Sequence, residues 1–275
     1  MFQAGYVVLQ GGFMKKHFLS FVAGALLIGA PIIGFSADFP MTGFSAPVGM
    51  VELGNGALLV AEWGADSITR VEGSRKQPVI GGISSPAGLA MDNDGNIYIA
   101  GYGDGNIYVW QGAGKPKVLA GGFRQPTGLQ WSKNNTLLVA NRGAGTVEEI
   151  DKSGNRRIIS RGHNLPVGIA LTEGGDMYVS CYGGTLDRVS ENGEIRKIKN
   201  GLGTPGVGIL ASGKDTVFVV DNGAGKVVEA GPNGAIRTLA ENLSGPVGLA
   251  RTRDNEIIVA TWGDGKIQVL EMENE

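Results

Sequence analysis

Residues Pro86 to Ala100 read P-A-G-L-A-M-D-N-D-G-N-I-Y-I-A. A short apolar run, Ala87 to Met91, follows the proline. Asp94-Gly95 is a hairpin turn signal, and Asn96 to Ala100 is a second run rich in β-formers. Downstream, Gly101 to Gly105 is a glycine-rich loop, Ile107 to Trp110 a third strand, Gln111 to Gly114 a turn, and Lys117 to Leu119 a short fourth strand. The stretch therefore predicts four short antiparallel strands in about forty residues.

The same unit occurs six times. Its marker is a Pro-x-Gly step at Pro47/Gly49, Pro86/Gly88, Pro126/Gly128, Pro166/Gly168, Gly206/Gly208 and Pro246/Gly248, with glycine spacings of 39, 40, 40, 40 and 40 residues. A second glycine keeps the rhythm at Gly64, Gly103, Gly143, Gly183, Gly223 and Gly263. Unit four is one residue short in its middle loop, and unit five gains one at Thr204-Pro205. A fixed period of this length means a repeated supersecondary unit. The 47 glycines fall in phase with the turns, so they mark structure and not low complexity.

The second runs, such as Leu58 to Ala61, Leu137 to Ala140, Val217 to Val220 and Ile257 to Ala260, are apolar without alternation. A strand apolar on both faces must be covered on both sides. The repeats hold no amphipathic helix to cover it, so the neighbouring unit must do so. The expectation is an all-β, six-bladed β-propeller of four-stranded antiparallel blades. A solenoid would need atypical capping ends, whereas here the two ends complement each other. The sixth unit stops after its third strand, Ile267 to Leu270, and Asp38 to Phe44 (D-F-P-M-T-G-F) aligns with the end of the other units. The N-terminal segment is expected to complete the last blade and close the ring.

Residues 38–275 are read as one propeller domain, and residues 1–37 as upstream residues plus a signal peptide. Met14-Lys15-Lys16-His17 forms a positive start, Phe18 to Phe35 an apolar core, and Ser36-Ala37 small residues for cleavage, with Met14 the expected start. An uncleaved anchor is the alternative, but Pro31 interrupts the apolar stretch. This reading places the protein in the periplasm or outside the cell, with no membrane span after cleavage. The chain has 24 Lys and Arg against 26 Asp and Glu; removing Lys15 and Lys16 leaves 22 against 26, a charge of −4. No basic stripe is present, which argues against nucleic acid as a partner. Cys181 is the sole cysteine, so no internal disulfide can form, and buried filler is favoured over a reactive thiol.

The pattern from Pro86 to Ala100 resembles the NHL repeat. It also resembles the six-bladed calcium-dependent phosphotriesterase-like superfamily, which includes gluconolactonase, senescence-marker protein, strictosidine synthase and paraoxonase. Virginiamycin B lyase has similar blades, seven in number. The resemblance spans Asp38 to Glu271 and implies a propeller fold; for activity it implies a divalent cation on the axis, held by carboxylates and amides at the start of the innermost strands. The matching positions here are Val48, Ala87, Thr127, Val167, Val207 and Val247. Calcium takes six to eight oxygens, and these side chains do not supply them. No metal ligand is carried over, and no metal or other cofactor is expected.

A second ring, Glu62, Asn141 and Asp221, ends the second strands of alternate units. The second strand lies about 4.8 Å further from the axis than the first, so a local bond to backbone is expected there in preference to an axial cation. His163 is the only histidine after the signal segment and is expected to be solvated in an outer loop, which leaves no Ser-His-Asp set. No His or Cys cluster has zinc spacing. The virginiamycin-lyase and amidating-lyase branches depend on histidines absent from this chain.

The residue after the second ring is Trp63, Tyr102, Arg142, Tyr182, Asn222 or Trp262. Once the ring closes, Trp262, Trp63 and Tyr102 should form an aromatic arc that Arg142 and Tyr182 continue. Exposed aromatics with an arginine are enriched at binding surfaces. The expectation is a monomeric, extracytoplasmic, non-catalytic module that binds a protein, peptide or glycan on this face, which takes in Glu62, Asn141 and Asp221 as well. The alternative function is a metal-dependent lactone hydrolase or lyase. The alternative role for the arc is structural, each ring buttressing its own loop.

Overall fold

Turn chemistry and unbroken apolar runs build the same sheet again and again. In blade one the strands are Pro47–Glu52, Leu58–Glu62, Ser67–Glu72 and Arg75–Gly81, paired antiparallel in chain order. Blades two to five repeat this four-stranded order, beginning at Pro86, Pro126, Pro166 and Pro205. Blade six has three strands, Pro246–Arg251, Ile257–Thr261 and Lys266–Val269. The computed structural model describes residues 38–190 and 192–271. The signal segment and the Met14 start expected within residues 1–37 lie outside them. Among the described residues the helical content is two short 3-10 turns, Trp63–Ala65 and Arg142–Ala144. None of their helices is long and apolar enough to cross a membrane.

The ring is closed by the head of the domain. Met41 and Ile267 form an antiparallel bridge, each donating its N–H to the other's carbonyl at 2.8 Å, and Phe44 donates to the Gly265 carbonyl at 3.1 Å. The segment takes the place of the missing fourth strand, although it pairs as a bridge and not as a full strand. Pro40 has no N–H to give to a ladder, and Gly43, at φ +77°, turns the chain away.

The Pro-x-Gly glycines hold the blades together at the axis. A Cβ on Gly49 would lie 2.3 Å from the Ala87 carbonyl oxygen, on Gly88 2.3 Å from that of Thr127, on Gly128 2.5 Å from that of Val167, and on Gly168 2.5 Å from that of Val207. Gly208 stands in the same relation to Leu249 N at 2.5 Å, and Gly248 to the Val48 carbonyl oxygen at 1.8 Å, which returns the sequence to its start. Only a residue without Cβ lets six innermost strands converge this closely. The innermost pairing is irregular at this step in every blade.

The second strands are buried along their whole length in all six blades, as their unalternating apolar runs require. Their side chains fill the seams between blades. Leu59, Ala61 and Ile68 of blade one pack with Ile97, Ile99 and Trp110 of blade two. Met41 and Phe44 pack with Leu58 and Val60 of blade one and with Ile258 and Ile267 of blade six. Each large side chain so buried contributes roughly 1.5–3 kcal/mol, and the closing segment shares in this.

Candidate functional site: the aromatic mouth of the axis

One backbone hydrogen bond recurs in all six blades and fixes the rim. The residue after the second strand donates its N–H to the carbonyl of the residue before the innermost strand. The pairs are Trp63 to Ala46 (3.1 Å), Tyr102 to Ser85 (3.3 Å), Arg142 to Gln125 (3.3 Å), Tyr182 to Leu165 (2.8 Å), Asn222 to Thr204 (3.2 Å) and Trp262 to Gly245 (2.9 Å). Ala46, Ser85, Gln125 and Leu165 adopt left-handed backbone, with φ between 48° and 60°. Non-glycine residues rarely do so, so four of the six blades carry a strained turn on this face.

The rim side chains meet in the predicted order. The Trp262 and Trp63 ring centroids are 5.8 Å apart, and those of Trp63 and Tyr102 4.4 Å. Arg142 Nη1 donates to the Tyr102 hydroxyl at 3.2 Å and to Gln125 Oε1 at 3.1 Å, and its guanidinium carbon lies 4.8 Å from the Tyr182 ring centroid. Asn222 completes the circle and donates to the Pro246 carbonyl at 3.1 Å. The members differ in depth. Trp63 and Tyr102 are half-buried and pack on the cluster that contains Val48, Ala87 and Val247, so they lie over the axis. Tyr182 and Trp262 are 43% and 41% exposed. The rim thus joins a packed lid to two open aromatic edges.

Beneath the lid, Val48, Ala87, Thr127, Val167 and Val247 are buried, and the Thr127 hydroxyl donates to the Ala140 and Pro166 carbonyls at 3.1 and 3.2 Å. The channel beyond is about 300 Å³, lined by glycine backbone and by Met50, Leu89, Leu129, Ile169, Ile209 and Leu249 among others, with Glu52, Gln130 and Arg251 at its far end, where the innermost strands finish. The entry ring does not fit the axial cation that the family resemblance implies: at the start of the innermost strands it presents aliphatic side chains and one threonine, and the Glu52 carboxylate and Gln130 amide lie towards the other end of the channel.

Glu62, Asn141 and Asp221 do not present themselves on the binding face: they are buried and turn to their own blades. Glu62 Oε2 accepts from Ser45 N at 2.7 Å, and its other oxygen accepts from the Thr69 hydroxyl. Asn141 Oδ1 accepts from Arg124 N at 2.8 Å while its amide donates to Glu148 at 2.6 Å. Asp221 accepts from Gly203 N at 2.8 Å and Thr204 N at 3.1 Å. These bonds pin the loops from which the rim rises. Burial works against the charge of Glu148, yet the bonds from Asn141, Arg156 and Thr146 outweigh it and hold its carboxyl below the usual glutamate range.

Blade four overturns two expectations. His163 is not solvated but 5% exposed, with Nε2 2.7 Å from Ser160 Oγ and Nδ1 2.8 Å from Asp187 Oδ2. A Ser-His-Asp connection therefore exists. Ser160, Cys181 and Asp187 are all buried as well, so no substrate reaches it. The reason lies in the repeat: His163 stands three residues before its proline, where the other units place Phe44, Ile83, Phe123, Leu202 and Leu243. That position is an inward anchor, and aligning the units on it was the available signal. Cys181 Sγ lies 3.4 Å from Asp187 Oδ2. Burial, and then the Asp187 charge, push the thiol up to about 12, which makes it a neutral, inert group on its own.

Comparison with known proteins gives the same architecture. The SBBP beta-propeller repeat family matches residues 79–108. No curated protein matches. Among solved structures, virginiamycin B lyase from Staphylococcus aureus is 15% identical with a TM-score of 0.66, covering 86% of this chain and 88% of its own. The PQQ-bound aldose sugar dehydrogenase from Streptomyces coelicolor is 16% identical with a TM-score of 0.72, covering 85% and 96%. A nidogen/laminin complex gives a chain 17% identical with a TM-score of 0.66, covering 75% and 85%. Two of these neighbours are enzymes and one belongs to a binding complex, and at such identities the likeness is one of β-propeller fold alone.

Proposed function

We propose that this propeller is an extracytoplasmic, NHL-like, non-catalytic binding module that takes a protein segment, peptide or glycan on its aromatic rim. The observation that carries the reading is the contiguous set Trp262, Trp63, Tyr102, Arg142 and Tyr182, laid over an axis whose mouth is aliphatic. Flat aromatic faces beside a guanidinium suit sugar rings, peptide side chains and carboxylates. The module works as a monomer and needs no metal on the axis. Glycan-array and peptide-display capture with the full chain tests this. Trp262→Ala and Tyr182→Ala should each weaken capture by roughly 30-fold or more with little change in melting temperature; capture undiminished in both sinks the reading.

The runner-up, a lactone hydrolase or lyase, is supported by the resemblance of the blades and by the lyase fold of a structural neighbour. It needs a cation on the axis. Stoichiometric calcium binding that Thr127→Val removes would favour it.

A further inference from the structure

The polar cluster of blade four differs from its counterparts in one respect. In blade one both Glu62 oxygens are partnered, and in blade three both Glu148 oxygens are, by Asn141, Thr146 and Arg156. In blade four Asp187 Oδ1 is buried with no hydrogen-bond partner, and Thr185 Oγ1 is buried with a weak contact to the Cys181 thiol. A buried polar atom without a partner costs about 1–3 kcal/mol, so the bare carboxylate oxygen points to a missing occupant. Thr185 sits opposite Cys181 in the strand ladder. His163, Cys181 and Asp187 each offer one donor atom, and these lie within 4.8 Å of one another.

We propose that blade four carries a structural zinc site, with His163 Nδ1, Cys181 Sγ and the Asp187 carboxylate, through both its oxygens, as ligands and Thr185 Oγ1 beside them. One nitrogen, one sulfur and one carboxylate suit a borderline cation of the zinc type and not calcium or magnesium, which take oxygen. The charges close: a divalent cation, a thiolate and a carboxylate with a neutral imidazole sum to zero, as a sealed site requires. Zinc sets donors from different side chains roughly 3.3–3.8 Å apart. Cys181 Sγ to Asp187 Oδ2 is 3.4 Å already, and His163 Nδ1 to Asp187 Oδ2, at 2.8 Å, has to open by about 0.5 Å. Metal on Nδ1 leaves the proton on Nε2, which donates to Ser160 Oγ at 2.7 Å and fixes the ring. No step of the rim's proposed binding uses this site, so it is a fastener for the fourth blade.

The test uses the full chain, produced with zinc and purified without a metal-affinity column. Elemental analysis should find one zinc per chain. X-ray absorption should show one sulfur near 2.3 Å and nitrogen or oxygen neighbours near 2.0 Å. Cys181→Ser and His163→Phe, the latter restoring the residue type of Phe44 and Phe123, should each weaken zinc binding by roughly 100-fold or more. Should both variants fail to fold, the absorption spectrum of the wild-type chain decides alone. A metal-free wild-type chain that also takes up no zinc on refolding, a zinc shell without sulfur, or full zinc retention in Cys181→Ser overturns the proposal.

Discussion

Met41 and Ile267 exchange both backbone hydrogen bonds at 2.8 Å, joining the first described turn of the chain to its last strand. The Met41 side chain is also buried in the seam between blades six and one. Two variants separate these roles. Met41→Ala should cost about 2–4 kcal/mol through the cavity it leaves. Met41→Pro, which also lacks the donor, should cost roughly 1–3 kcal/mol more. Equal losses in urea unfolding would show that the bridge adds nothing to closure.

Gly248 and Val48 make the matching contact on the axis. Gly248→Ala would set a methyl 1.8 Å from the Val48 carbonyl oxygen, so the two innermost strands must part. The loss should exceed about 3 kcal/mol, in the range of severe overpacking. Gly54→Ala is the control: nothing lies within 4 Å of its Cβ, and the change should be neutral or stabilising by up to about 1 kcal/mol. Denaturation midpoints of the two variants check this, and a Gly248→Ala chain as stable as Gly54→Ala would refute axial packing.

The architecture was legible because each unit repeats one solution to one problem. Pro47, Gly49 and Gly64 recur in phase, so a single well-marked unit, residues 86–119, could be read for all six. The rim followed from the same phase, since Trp63 and Trp262 occupy one template position. What escaped was where one unit breaks the template. The chemistry of His163 suggests a polar loop residue, whereas its position demands burial alongside Phe44 and Phe123. Spacing also hid the cluster: Ser160, His163, Cys181 and Asp187 follow no metal or triad motif, and only the strand pairing and the turn before Pro166 bring them together. The depth of each rim residue is illegible too, because it depends on which neighbours each side chain meets once the ring has closed.

That difference in depth yields the third prediction. Trp63 packs on the axial cluster, whereas Trp262 is 41% exposed and rests on Trp63. Trp63→Ala should therefore destabilise by about 2–4 kcal/mol, and Trp262→Ala by under about 1 kcal/mol. Ligand capture should show the reverse emphasis, falling roughly 30-fold or more for Trp262→Ala, as at an interface hot spot. Calorimetric melting and binding on the same samples separate the two. Equal destabilisation would mean that the arc is a uniform buttress.

Glu148 links the rim to acid stability. It accepts from Asn141 at 2.6 Å and from Arg156 at 2.7 Å, and Asn141 in turn receives Arg124 N at 2.8 Å below the rim. Its folded carboxyl is held below the ordinary value of 4.5. A carboxyl lowered on folding adds stability above its unfolded value, and that stability is lost as pH falls through the folded value. The wild-type chain should accordingly weaken as pH drops below about 4.5. Glu148→Gln keeps the shape but not the charge, so it should be less stable by about 1–3 kcal/mol at pH 7. The two stabilities should converge in acid, because protonated Glu148 can no longer hold Arg156 as an ion pair. Urea unfolding of both chains from pH 7 down to pH ~3 checks this; a gap that stays constant across that range would show that Glu148 contributes packing and not charge.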